Sequence, residues 1–263
     1  MWRPWRGWRA FFDGPAGGLV PGASVRGRTI FSMCGRYALS APGDVIAEIF
    51  GLLEVPDVQP SWNIAPTQLA AVVRQGDGGT GDSVSGSRAR RLDLLKWGLV
   101  PYWAKDASIG SRMINARSET VAEKPSFKHA LKRRRCIVPA DGFYEWRKTT
   151  EGKVPTRIQR RDGRPLALAG LWEVWRRGAA APLETFTILT TSPNRVLRPI
   201  HDRMPVILEP ESFGLWLDPS ETNPDRLVPL FEAGPGDELE TFPVSRRVNS
   251  PANNDPECAE PAG

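Results

Sequence analysis

Cysteine and histidine are scarce in this chain, which holds three of the first and two of the second in 263 residues. Cys34, Cys136 and Cys258 are odd in number and widely spaced, which fits neither a disulfide framework nor paired metal-ligand spacing. A His/Cys zinc site would have to gather nearly all of them with His129 and His201, so no metal and no other cofactor is expected. Long hydrophobic runs are missing as well. No apolar stretch approaches the ~20 residues that a membrane-spanning helix needs, and no membrane role is expected. With so few cysteines, a reducing cytoplasm is the expected compartment.

A uniform positive charge is lacking too, although the net charge is +5. Residues 1 to 32 hold five arginines and one aspartate, which leaves 30 basic and 29 acidic residues elsewhere. That remainder is uneven. Gly86 to Arg135 carries 13 basic against 4 acidic residues, and Pro205 to Gly263 carries 3 against 12. A basic middle segment with an acidic end region fits local phosphate contacts as well as it fits a plain solvated face.

The chain is long enough for one sizeable core. Residues 1 to 32 read as a disordered leader, with Trp and Arg repeated in the first twelve positions and Gly, Pro and small residues after them. A wrongly chosen start codon is the preferred explanation, because Met33 directly precedes the first patterned segment; a propeptide or a mitochondrial address competes with it. Residues 33 to 261 read as a single domain. Strands are expected at Cys34–Leu39, Leu69–Arg74, Leu92–Val100, Cys136–Val138, Gly142–Arg147, Thr156–Arg160, Leu166–Trp172, Thr185–Thr191, Met204–Leu208 and Glu240–Val244. Helices are expected at Pro42–Leu53, at Ser126–Arg135 with Ser126 as cap, at Glu211–Leu217 and at Asp225–Phe231. Ser61 to Gln68 reads as a Pro-containing loop, residues 76 to 87 as a flexible hairpin tip, and Ser192 as the cap of a brief helical turn. The expected fold is α+β: a curled, barrel-like, mainly antiparallel sheet core with short peripheral helices.

Cys34 carries the distinctive chemistry. Met-Cys is a start from which methionine is readily removed, and the product presents an α-amine beside a thiol. Their ordinary pKa values, ~7.7–8.0 and ~8.5, leave neutral amine available near neutral pH. Such an aminothiol condenses with an aldehyde to an imine, and the thiol then closes a five-membered thiazolidine. An internal cysteine cannot do this, because its nitrogen is an amide. The plainer alternative is a buried structural cysteine.

Six motifs follow one another in order. They are Met33-Cys34-Gly35-Arg36-Tyr37, Trp62-Asn63-Ile64-Ala65-Pro66-Thr67, Trp97-Gly98-Leu99-Val100-Pro101 and Asn115-Ala116-Arg117-Ser118-Glu119-Thr120, then Arg135 to Trp146 and Ile200-His201-Asp202-Arg203-Met204-Pro205. This set closely resembles the SOS response-associated peptidase family, whose members crosslink to abasic sites in single-stranded DNA. The resemblance runs from Met33 to about Pro261, and it implies a role for each matching position. Cys34 would supply amine and thiol, and Asn115 would hold the reacting sugar. Glu145 would exchange protons at the amine and imine, and His201 would protonate the sugar ring oxygen to expose the aldehyde. Arg36, Arg117 and Arg203 would grip phosphates. Trp97, Trp103 and Trp146 would stack on bases or wedge the strand, with a core role open for each. Asn63 and Pro66 would shape the loop beside the pocket, and Thr190 would add a supporting hydroxyl. From the residues themselves, Lys132 to Arg135 are expected to face solvent, with nonspecific phosphate contact as the alternative. The implied partner is single-stranded DNA with an abasic site, bound by a monomer that joins the nucleoid when on DNA.

Two rivals remain at this point. An amino-terminal Cys-Gly also opens glutamine-dependent amidotransferases, with peptidases as a related class. A non-catalytic module binding single strands through the basic segment is the other.

Overall fold

The computed structural model describes residues 34–76, 89–177 and 181–262. The leader expected at 1–32 and most of the hairpin tip expected at 76–87 lie outside these residues.

Chain order runs β1 (Tyr37–Leu39), α1 (Gly43–Phe50), β2 (Ser61–Ile64), β3 (Leu69–Gln75), β4 (Arg90–Trp97) and β5 (Asn115–Arg117). It continues α2 (Lys128–Arg133), β6 (Arg135–Ala140), β7 (Gly142–Thr149), β8 (Gly152–Arg160), β9 (Leu166–Trp175) and β10 (Leu183–Thr191). β11 (Met204–Pro205), α3 (Phe213–Leu217) and β12 (Leu239–Pro243) complete it.

Five strands close on themselves in the order β10-β4-β3-β6-β9 and back to β10. Every pairing in this barrel is antiparallel except β10 with β4. Beyond the end of β4, β10 takes β5 as a parallel partner at Ile188–Thr190, and β11 pairs with its last two residues. The second sheet is antiparallel, in the order β12-β8-β7-β1-β2. The expected α+β, barrel-like core is therefore present, with short helices around it.

β6 and β9 are buried along six consecutive residues each, Arg135–Ala140 and Leu166–Leu171. Their sequences accordingly lack the apolar–polar alternation of a strand with one wet face. Asp141 separates β6 of the barrel from β7 of the second sheet. Its Oδ2 accepts from Ser40 N at 2.5 Å, Ser40 Oγ at 2.7 Å and Ala41 N at 3.2 Å, which fixes the end of β1 beside the crossover.

Several expected elements changed extent. α1 stops at Gly51, whose φ of 65° is the left-handed conformation that glycine adopts without steric cost. Ser61–Ile64 is a strand rather than loop, because Asn254 Oδ1 and the partner strand β1 supply its hydrogen bonds. α2 starts two residues after Ser126, with no side-chain cap. Asn194, not Ser192, caps the turn before His201; its Oδ1 accepts from Val196 N at 3.1 Å and Leu197 N at 3.0 Å. The helix expected at Asp225–Phe231 is two 3-10 turns, Pro224–Arg226 and Val228–Phe231. β5 was not anticipated.

Candidate active site

Cys34 leads into β1, and Glu145 lies on β7, the strand paired with β1. The Cys34 N–H donates to Glu145 Oε1 at 2.6 Å. Both residues are buried, at 1% and 3% exposure. Burial pushes the Glu145 carboxyl up to about 8; the bond from Cys34 opposes this, and the negative charge of Asp202 adds to it. The Cys34 thiol is also raised, by burial and then by Glu145. Cys34 has φ of 41°, a left-handed conformation that costs an L residue of this kind ~1–3 kcal/mol. Glu145 is thus a buried acid bonded to the nitrogen it was expected to serve, and no surface charge.

The barrel side is built on β5, β10 and the turn into β11. Asn115 and Arg117 sit at the ends of β5, opposite Ile188 and Thr190 of β10. Thr190 is fully buried and also faces Pro205 of β11. Backbone crossing places β5 here. Gly98, with φ of 125°, and Gly110 approach so closely that a Cβ on either would stand 2.6 or 2.5 Å from the other's carbonyl oxygen. The Leu99 N–H then donates to Met113 O at 3.1 Å, two residues before Asn115.

His201 is half-buried on the turn preceding β11, its N–H donating to Leu197 O at 2.9 Å. Its Nδ1 lies 3.1 Å from the Arg203 N–H, a geometry that suits a ring with its proton on Nε2. Asp202 Oδ1 stands 3.0 Å from the same Nδ1. Asp202 also acts electrostatically on Glu145, which brings the histidine turn into the field of the Cys34 pair.

The tryptophans divide. Trp97 is wholly buried: its ring packs edge-on to Tyr37 at 5.2 Å and stacks with Phe186 at 6.2 Å, and its Nε1 donates to Ile114 O at 2.9 Å. It cannot stack on a base from there. It braces β1 against the residue preceding Asn115. Trp103 is 39% exposed and available to a ligand. Trp146 is half-buried, with Nε1 donating to Asn249 Oδ1 at 2.7 Å.

Two expected phosphate contacts are already engaged. Arg36 is buried and spends Nη1 on Asn63 Oδ1 at 2.7 Å and Val248 O at 2.6 Å. Asn63, also buried, donates to Ser250 O at 3.0 Å and Asn253 O at 2.6 Å. Both clamp the 246–254 segment against β2, which is structural work. Arg203 is paired with Glu119. Arg117 is exposed, and Pro66 is half-buried beside Thr67, whose φ is 73°. Within 132–135 only Lys132 and Arg133 are exposed. Arg134 pairs with Glu173, and Arg135 is buried, donating to the carbonyls of Trp216, Leu131 and Asp218.

The structure thus joins two of the quoted motifs at a buried acid bonded to the nitrogen of Cys34, and Asp202 of a third acts electrostatically on that acid. The model of the SOS response associated peptidase (SRAP) family matches residues 33–251. This chain is an SRAP protein. Among SRAP relatives, an abasic site processing protein of Bacillus subtilis, YoqW, is 44% identical over 233 residues, covering 87% of this chain and 99% of its own. The abasic site processing protein HMCES of Rattus norvegicus is 31% identical, covering 88% and 76% respectively. A crystal structure of a Bacteroides thetaiotaomicron protein superposes with a TM-score of 0.75 at 25% identity, covering 87% of this chain and 100% of that one.

Among the described residues, no group of three or more His, Cys, Asp or Glu side chains is arranged to hold a metal, and no helix is long and apolar enough to cross a membrane. Sequence reading passed over Glu119, Asp202 and Tyr37, although all three stand inside the quoted motifs. It also passed over Asn249 and Asn254, which no motif flagged.

Proposed function

We propose that this SRAP protein processes abasic sites in single-stranded DNA by forming a thiazolidine between Cys34 and the opened sugar. The hydrogen bond from Cys34 N to Glu145 Oε1, at 2.6 Å, carries the reading. It puts a proton-exchanging group on the one nitrogen that must become nucleophilic. The names of the relatives in Bacillus subtilis and Rattus norvegicus support the substrate class.

In its imidazolium form His201 gives the Nε2 proton to the ring oxygen of the closed deoxyribose as the C–O bond breaks, the anomeric hydroxyl passes its proton to water, and the ring opens to the aldehyde. The neutral amine of Cys34 attacks that carbon. Glu145 donates a proton to the departing hydroxyl, and water leaves as the imine forms. The Cys34 sulfur then adds to the imine carbon and the nitrogen regains a proton, so protein and aldehyde have combined with loss of one water. An imine alone invites β-elimination of the neighbouring phosphate, and ring closure by sulfur suppresses it; lyase activity is the minor outcome.

The chain as written requires one step first. Cys34 N sits in a peptide link after 33 residues, and the pair is closed to solvent. Initiation at Met33 with methionine removal frees the nitrogen. So does self-processing, in which the thiol attacks the carbonyl before it, the C–N bond breaks with a proton passed from Glu145, and water hydrolyses the thioester. Either route removes the preceding carbonyl that defines the left-handed φ of Cys34, and with it the strain.

The test is to mix the protein beginning at Cys34 with a single strand containing one abasic site and look for a denaturation-resistant species. We expect one, dependent on the lesion. A salt-sensitive complex with any single strand and no covalent product would favour the non-catalytic module, and glutaminase activity would favour the amidotransferase reading.

A further inference from the structure

Glu119 follows β5 in the 3-10 turn Ser118–Thr120. Its carboxylate meets the Arg203 guanidinium at two points, Oε1 with Nη1 and Oε2 with Nη2, the latter at 2.8 Å. The same Nη2 donates to Thr190 O at 2.6 Å. Through its backbone, Arg203 donates to His201 Nδ1 at 3.1 Å. One residue therefore joins the end of the Asn115 strand, the buried carbonyl of β10 and the imidazole.

From 192 to 203 the chain has no helix or strand, and β11 beyond it is two residues long. Ahead of the imidazole, the turn is tied by the Asn194 cap and by the N–H groups of Ile200 and His201, both donating to Leu197 O. Behind it, the tie is Arg203. A bidentate carboxylate fixes the plane of a guanidinium as a single contact does not. The Arg203 side chain is mostly buried, so its orientation is set by these partners rather than by water.

We propose that Glu119, acting through Arg203, is a positioning residue that holds the imidazole of His201 in register with Asn115 and keeps its proton on Nε2. Glu119 touches neither the sugar nor Cys34 in this assignment. The inference rests on the reading that His201 opens the sugar ring.

The experiment compares Glu119→Gln, Glu119→Asp, His201→Ala and the double variant Glu119→Gln/His201→Ala, each beginning at Cys34. Adduct formation is measured at saturating abasic single strand. Misplacing a reacting group costs about tenfold to a hundredfold, so Glu119→Gln should slow the reaction by that much and Glu119→Asp should recover part of it. The double variant should be no slower than His201→Ala, because a residue acting only through His201 has nothing left to act on. Imidazole nitrogen shifts give a readout independent of activity, and the chain has only two histidines. In wild type the neutral His201 ring should show Nε2 protonated; in Glu119→Gln it should show both tautomers. An unchanged rate in Glu119→Gln, a multiplicative loss in the double variant, or an unchanged tautomer would each overturn the proposal. If wild type forms no adduct, the functional reading fails instead, and the imidazole shifts still decide whether Glu119 positions the ring.

Discussion

The two sides of this site are held in opposite ways. On the barrel side, Thr190 is paired with both Arg117 and Pro205, its carbonyl accepts from Arg203, and Arg203 is locked by Glu119. On the sheet side, the Cys34 N–H donates to a carboxyl that burial pushes up to about 8, and Cys34 has a backbone angle that cysteine rarely adopts. Under the proposed mechanism, redundant ties would suit a surface that recognises a sugar in one geometry, and a tie to a group that gains or loses its proton near pH 8 would suit a nitrogen that changes its bonding.

Substitutions on the two sides should separate accordingly. The largest effect is expected from Cys34→Ala, which removes the thiol and should abolish the stable adduct in a denaturing gel while leaving the melting temperature nearly unchanged. Glu145→Gln keeps a bond to Cys34 N but cannot exchange the proton, and should slow adduct formation by ~10²–10⁴-fold in single-turnover assays.

Glu145 also gives the sheet side a pH signature. Its carboxyl is raised from ~4.3 in an unfolded chain to about 8 in the fold. The folded state therefore holds one more proton between those values, and its stability falls as pH rises from about 4.3 towards 8. Melting curves across that range should show a decline in wild type that Glu145→Gln lacks. A chain beginning at Cys34 should show a shallower decline, since its ammonium form draws the carboxyl pKa back down. An equal decline in wild type and Glu145→Gln would remove the buried carboxyl from the account.

Trp97 and Asn249 probe the scaffold behind each side. Trp97→Ala empties a wholly buried site, and denaturant titration should show a loss of ~3–5 kcal/mol. Loss of base stacking alone would leave stability intact. Asn249→Ala removes one partly exposed bond to Trp146 and should cost only ~0.5–1.5 kcal/mol in the same titration.

Much of this arrangement was legible in the residues, for identifiable reasons. The strands of the barrel announced themselves because β6 from Cys136 and β9 from Leu166 to Trp172 are unbroken apolar runs. Ser61–Ile64 did not, since its neighbouring Pro66 reads as loop and its hydrogen bonds come from Asn254, nearly two hundred residues away. β5 is three residues long, too short for any period to appear. The candidate residues were found through the order of the motifs, but their division of labour was not. A sequence shows Arg36, Arg135 and Arg203 as equal positive charges. Only the fold reveals that the first clamps the 246–254 segment, the second sits among buried carbonyls and the third is paired with Glu119. Trp97 shows the same limit, because a tryptophan in a motif looks alike whether it faces a base or a core.

The central claim concerns the nitrogen of residue 34, and the mass of the covalent species tests it most directly. Natively expressed protein should be reacted with a single strand bearing one abasic site, and the adduct weighed intact. The predicted mass is the chain from Cys34 to Gly263 plus the strand, less one water. An adduct that retains any residue before Cys34 would contradict the mechanism.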